Sequence, residues 1–110
     1  MDKLINKKCV PCEGWMKPLT KEQFEQHLPE VANWAVIEDK KIEKDFKFKD
    51  FKEAITFVNK VGAIAEEENH HPDINLHNWN KVKITLSTHA IKGLSDNDFI
   101  LAAKIDLLTV

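Results

Sequence analysis

The residues best suited to chemistry in this sequence are its histidines. Of the five, His70 and His71 are adjacent, His77 follows six positions later, and His89 lies twelve beyond that. Imidazole titrates near neutrality, so it can give and take protons without a large shift of its pKa. Glu66 stands four residues before His70, a spacing that on a helix puts a carboxylate on the same face as the ring and lets it orient the imidazole or hold a ligand N–H. Three readings follow for the pair: an acid–base site, a metal site, or solvated loop histidines. Zinc gripped from one helix uses histidines at i and i+4, and His70-His71 lacks that spacing. Cys9-x-x-Cys12 lies far off in a stretch carrying Pro11, Gly14 and Pro18, not at a strand-to-helix turn, and is expected to sit on a solvated or loosely docked arm. Trp34 and Trp79 have the shape to stack on a flat heterocycle, although aromatics of a small domain more often fill a core or an interface. His27 shares the apolar face of a first helix and reads as a satisfied, partly buried side chain. The lysines at 40, 41, 47 and 49 alternate with acids as a charged strand surface does.

The elements that must position these groups are legible from periodicity. Residues 1–18 read as an irregular arm and 19–110 as a single domain. Thr20 and Gln23 have capping-box spacing and open a short helix that Pro29 should end. Trp34–Ile37 reads as a strand, residues 38–40 as a turn, and 41–48 as a half-buried strand with Ile42, Phe46 and Phe48 on one side. From Phe51 to about Asn69, the residues Phe51, Ala54, Ile55, Val58, Val61 and Ala65 follow the helical period. Pro72 restricts His71 to extended geometry, so that helix should stop just before the two histidines. A short strand over 74–76, a turn at 78–80 and an alternating strand over 81–88 follow, with Val82, Ile84 and Leu86 on one side and His89 at its end. Gly93 marks a break. Ser95 with Asp98 caps a last helix that is apolar on more than one side, which is either core or subunit interface. The order α-β-β-α-β-β-α predicts an α+β fold, a four-stranded antiparallel sheet with three helices packed on one face.

Composition narrows the function classes. The chain has 110 residues, 43% apolar and 31% charged, with a formal net charge of −2. That length suits one compact domain that gains further burial by oligomerising. The mild acidity offers no overall pull toward nucleic acid or anionic membrane. No apolar run approaches the roughly 20 residues of a membrane span. Met1-Asp2-Lys3-Leu4 lacks the apolar stretch of a signal peptide, so a cytoplasmic setting with reduced thiols is expected.

The run Glu66-Glu67-Glu68-Asn69-His70-His71-Pro72 resembles the signature of the pterin-4a-carbinolamine dehydratase family. The likeness continues through Asn80–His89 and Gly93–Asp98, and upstream at Trp34 and Phe46–Phe51. The resemblance implies loss of water from 4a-hydroxytetrahydropterin to give the quinonoid dihydropterin, a step in recycling the cofactor of aromatic amino acid hydroxylases. It implies that His70, His71 and His89 are catalytic, that Glu66 and Asp98 are acids of the site, and that Asn69, Ser87, Thr88 and Ala90 line the pterin pocket. Ala90 departs from the acidic residue of some animal members. His71 and His89 are expected at the departing oxygen and His70 at the ring nitrogen. The pterin is substrate, so no metal or separate cofactor is implied; the expected partners are further copies of the chain, as a homodimer or homotetramer, and a hydroxylase served by the reaction. The rival reading is a non-catalytic pterin-binding module, or a dimerisation cofactor for a transcription factor acting through an interface helix such as the last one.

Overall fold

A computed structural model describes residues 3–11 and 13–109; Cys12 lies outside the described residues. Three α-helices, α1 (Lys21–Glu25), α2 (Phe51–Glu68) and α3 (Asp96–Asp106), join four strands, β1 (Ala35–Ile37), β2 (Lys41–Lys47), β3 (Asp73–His77) and β4 (Lys81–Leu86). The strands form one antiparallel sheet in the order β1-β2-β4-β3. This is the α+β architecture and element order that the periodicity predicts.

Register explains the layering. Ile42 stands opposite Leu86, Phe46 opposite Val82, and Ile84 faces Lys44 on one side and Ile74 on the other. With period-2 alternation these rows share one face. Ile42, Val82, Ile84 and Leu86 are fully buried there, against Ala54, Phe57 and Val61 of α2 and Phe99, Leu101 and Ile105 of α3. Lys44 falls on the same inward row, and its ammonium leaves the core by bonding Asp106 at 2.8 Å. Trp34 is also committed to this layer: its indole N–H donates to the Asp106 carboxylate at 3.1 Å, and its ring meets Phe46 edge-on.

Both hairpins turn through consecutive left-handed residues, Glu38 and Asp39 in one, Asn78 and Trp79 in the other. That is the primed-turn geometry that matches strand twist.

Helix ends differ instructively from expectation. The capping box of α1 forms, Gln23 N–H to Thr20 Oγ1 at 3.3 Å and Thr20 N–H to Gln23 Oε1 at 2.8 Å. Yet α1 stops at Glu25, and Pro29 lies inside a separate 3-10 turn, Leu28–Glu30. A proline clashes with the carbonyl four residues upstream, here Glu25, so it acts on the helix well before its own position. On α2 the buried line is Ala54, Phe57, Val61, Ala65 and Glu68, while Phe51 and Ile55 are exposed, a face rotated from the one the apolar pattern suggests. The two alternatives for α3 resolve to core: eight of its eleven residues are buried, leaving no free apolar face for a partner.

The arm is not loosely docked. Leu4 is buried in the core and its N–H donates to Glu30 at 2.9 Å. Farther on, Leu19 N–H bonds Leu94 O at 2.8 Å, and a Cβ on Gly93 would sit 2.7 Å from Pro18, so close approach explains that glycine.

Ile84, flanked on both sides within the sheet and fully buried, should be the most costly strand residue to truncate. Ile84→Ala is expected to lower unfolding free energy by about 2–5 kcal/mol, read from the midpoint of urea denaturation.

Candidate active site

The exit of α2 sets the first two histidines. Asn69 adopts the left-handed conformation at φ 52°, its N–H bonds Glu66 O, and the N–H of His70 bonds Ala65 O at 3.1 Å. These are the paired bonds of a Schellman motif, with asparagine in the position usually given to glycine. The motif fixes the His70 backbone against the helix end, and Pro72 carries the chain away extended.

Because the helix has ended, Glu66 does not reach His70. Its Oε1 bonds His71 Nε2 at 2.8 Å instead, at the surface. The partner of His70 comes from 28 residues farther on: His70 Nε2 bonds Asp98 Oδ1 at 2.7 Å. Asp98 is fully buried, and its other oxygen accepts from Thr88 Oγ1 at 2.8 Å and from the backbone N–H of Ser95 at 3.0 Å. A carboxylate only accepts, so Thr88 spends its proton on Asp98, and Ser95 Oγ must donate in the 2.8 Å contact between the two hydroxyls. The same logic puts a proton on His70 Nε2 and leaves Nδ1 as the acceptor of the neutral ring.

The third histidine does not end β4. The strand stops at Leu86, and His89 opens a 3-10 turn, His89–Ile91, that curls back so that Thr88 N–H bonds Gly93 O at 2.8 Å. Lys92 in the left-handed region closes this curl. Alternation alone cannot foresee it, because the strand's period ceases where the Thr88–Gly93 bridge begins.

The two segments meet. A cleft of about 260 Å³ is lined by Asn69, His70 and His71 from one side and by Ser87, Thr88, His89 and Ala90 from the other. Three lining residues are not foreseen from spacing: Val10 and Pro11 from the arm, and Asn97 from α3. Asn97 adjoins Asp98 and sits buried on the first turn of an apolar helix, which is the signal that could have found it. Asp98 and Glu66 do not line the cleft; each bonds a ring that does. Among the described residues no hydrogen bond or ion pair reaches the exposed His89 ring, so the three imidazoles have three different surroundings. His77 lies at the far end of β3. His27 is satisfied by Asp96 at 2.8 Å, and Trp79 is exposed on a hairpin tip.

Residues 17–108 match the family described as pterin 4 alpha carbinolamine dehydratase. The chain belongs to that family. It is 48% identical over 107 residues to the protein of Alkaliphilus metalliredigens named "Putative pterin-4-alpha-carbinolamine dehydratase", with 96% of each chain covered. A protein of Rubrobacter xylanophilus with the same name is 44% identical over 108 residues, covering 98% of this chain and all of that one. Among solved structures, the "transcriptional coactivator/pterin dehydratase" of Brucella melitensis superposes with a TM-score of 0.78 at 29% identity, covering 86% of this chain and 100% of that chain. No helix among the described residues is long and apolar enough to cross a membrane.

Away from the cleft lining, Glu68 joins the arm to α3. Its oxygens accept from Cys9 N–H at 2.8 Å and Lys104 Nζ at 2.6 Å. Burial pulls this carboxyl upward, but the Lys104 and Cys9 bonds and the Lys104 charge outweigh it and hold the pKa below the ordinary carboxylate value. A depressed folded-state pKa contributes stability that is present above the unfolded value and lost as pH falls through the folded one. The thermal midpoint should therefore drop on acidification below the usual carboxylate range, with a shallower slope in Glu68→Gln. Burial first, and the Glu68 charge second, push the Cys9 thiol up to about 12. It stays protonated at neutral pH, so in a Cys12→Ser chain iodoacetamide should alkylate Cys9 slowly when native and rapidly in denaturant.

Proposed function

We propose that this chain dehydrates 4a-hydroxytetrahydropterin to the quinonoid dihydropterin by general acid–base catalysis. The observation that carries the proposal is the convergence of His70, His71 and His89, from two separate segments, on one cleft in a member of this family.

The chemistry requires two proton transfers. Hydroxide is a poor leaving group, so an acid protonates the 4a-oxygen as the C4a–O bond breaks and water departs. A base takes the N5 proton as the C4a=N5 double bond forms, so one proton is given and one received. His70 suits the role of base, since Nε2–H is committed to Asp98, Nδ1 accepts, and the buried carboxylate stabilises the imidazolium that forms. His71, oriented by Glu66, and His89, whose ring is not tied, act at the departing oxygen. Asn69, Ser87, Thr88 and Ala90 hold the bicycle, and Ala90 contributes through its backbone. The product is the pterin that an aromatic amino acid hydroxylase consumes after reduction. The chain acts as a homo-oligomer.

A second reading takes the word coactivator in the Brucella structure's name as its lead: a binding module, here one that would keep the cleft without turnover. A dimerisation role through the last helix is disfavoured, since α3 is already covered.

Stopped-flow absorbance of carbinolamine decay, with and without the protein, separates the two. Turnover is expected in the full chain. His70→Ala, His71→Ala and His89→Ala should each slow it by about 10²–10⁴-fold. Near wild-type rates in all three variants would remove the acid–base assignment, and pterin binding without turnover would favour the second reading.

The reaction needs no metal under this scheme. Rates should be unchanged by dialysis against a chelator; loss of activity restored by zinc would reverse the proposal.

A further inference from the structure

The family match begins at residue 17, yet two residues before that point line the cleft. Val10 and Pro11 form part of its wall, and the way they are held is specific. The side-chain amide of Asn97 reads the backbone of Val10 in both directions: Oδ1 accepts from Val10 N–H at 2.9 Å and Nδ2 donates to Val10 O at 2.5 Å. Asn97 is buried, so this pairing replaces water it cannot reach. One residue earlier, Cys9 N–H is held by Glu68. The arm is thus fastened by Glu68, two residues before His70, and by Asn97, one residue before Asp98. Val10 as a residue is 60% exposed, so its place is not explained by core packing. The match to the Alkaliphilus protein leaves out only about four residues of the chain (96% of 110), so its span includes this part of the arm.

We propose that Val10 and Pro11 are a substrate-contacting wall of the pterin cleft and that Asn97 is the positioning residue that keeps the wall in place. This rests on the dehydratase reading above. The wall acts on binding of the bicyclic heterocycle, not on the proton transfers, because it carries no group that exchanges protons with the ligand. It makes a segment outside the family's matched region a determinant of affinity.

The test uses the full chain with two variants and two readouts, the Kd for 7,8-dihydropterin by fluorescence titration and the kcat and KM for carbinolamine dehydration. Asn97→Ala should raise Kd and KM about tenfold, the scale of one well-made hydrogen-bonded pair, with kcat within about twofold of wild type. Val10→Trp leaves every backbone bond in place and crowds the wall from an exposed position. It should weaken binding similarly with the thermal midpoint unchanged, which keeps the test valid if Asn97→Ala folds poorly. A folded Val10→Trp chain with wild-type Kd and KM would overturn the wall. A fall in kcat alone in Asn97→Ala, with Kd unmoved, would instead make Asn97 a support of Asp98 and overturn its assigned role. Wild-type protein that neither binds dihydropterin nor turns over the carbinolamine would overturn the dehydratase reading itself, and the wall with it.

Discussion

A single buried carboxylate holds the site together. Asp98 has no contact with solvent, and a carboxylate in that position is costly unless its lone pairs are filled. They are filled by a ring from the end of α2, a hydroxyl from the segment after β4, and the backbone that opens α3. The last two are joined by the curl that the Thr88–Gly93 bridge closes, whereas the ring comes from a segment with no such link to either. Removing the carboxylate leaves two donors and a helix terminus without partners, each a cost of about 1–3 kcal/mol. One residue therefore caps a helix, joins three segments and sets the tautomer of His70.

The arrangement couples stability to the cleft at short range. α2 ends and α3 begins side by side. Each terminus carries one residue that faces the cleft machinery and one that fastens the arm: His70 with Glu68, and Asp98 with Asn97. α3 has no polar residue to spare. Asp96 bonds His27, Lys104 bonds Glu68, and Asp106 bonds both Trp34 and Lys44. A helix this apolar is kept in one orientation by its few polar groups, all of them engaged.

Much of this is legible in the residues, and the misses have physical causes. Alternation locates β2 and β4, and capping-box spacing locates α1 and α3, because those signals are local. The stop before His70-His71 follows from Pro72, although the residue that ends the helix is Asn69, in a conformation asparagine tolerates better than other non-glycine residues. Spacing pairs Glu66 with the wrong histidine, since i, i+4 geometry holds only while the helix lasts. It also extends β4 to His89, past the point where the strand has ended. The arm is underestimated for a different reason: its hold on the domain runs through Leu4, Cys9 and Val10 to residues 26, 59 and 87 positions away, and spacing along a chain says nothing about such distances.

The two carboxylate–imidazole pairs live in different dielectric worlds. The His70 and Asp98 side chains are 12% and 0% exposed, whereas those of His71 and Glu66 are 56% and 80% exposed. Dissolved ions shield an attraction in open water and scarcely touch one inside protein. When His71 is protonated, the electrolyte around the molecule therefore weakens the hold of Glu66 on its ring far more than the hold of Asp98 on His70. A change at position 66 alters the outer pair and leaves the inner one in place.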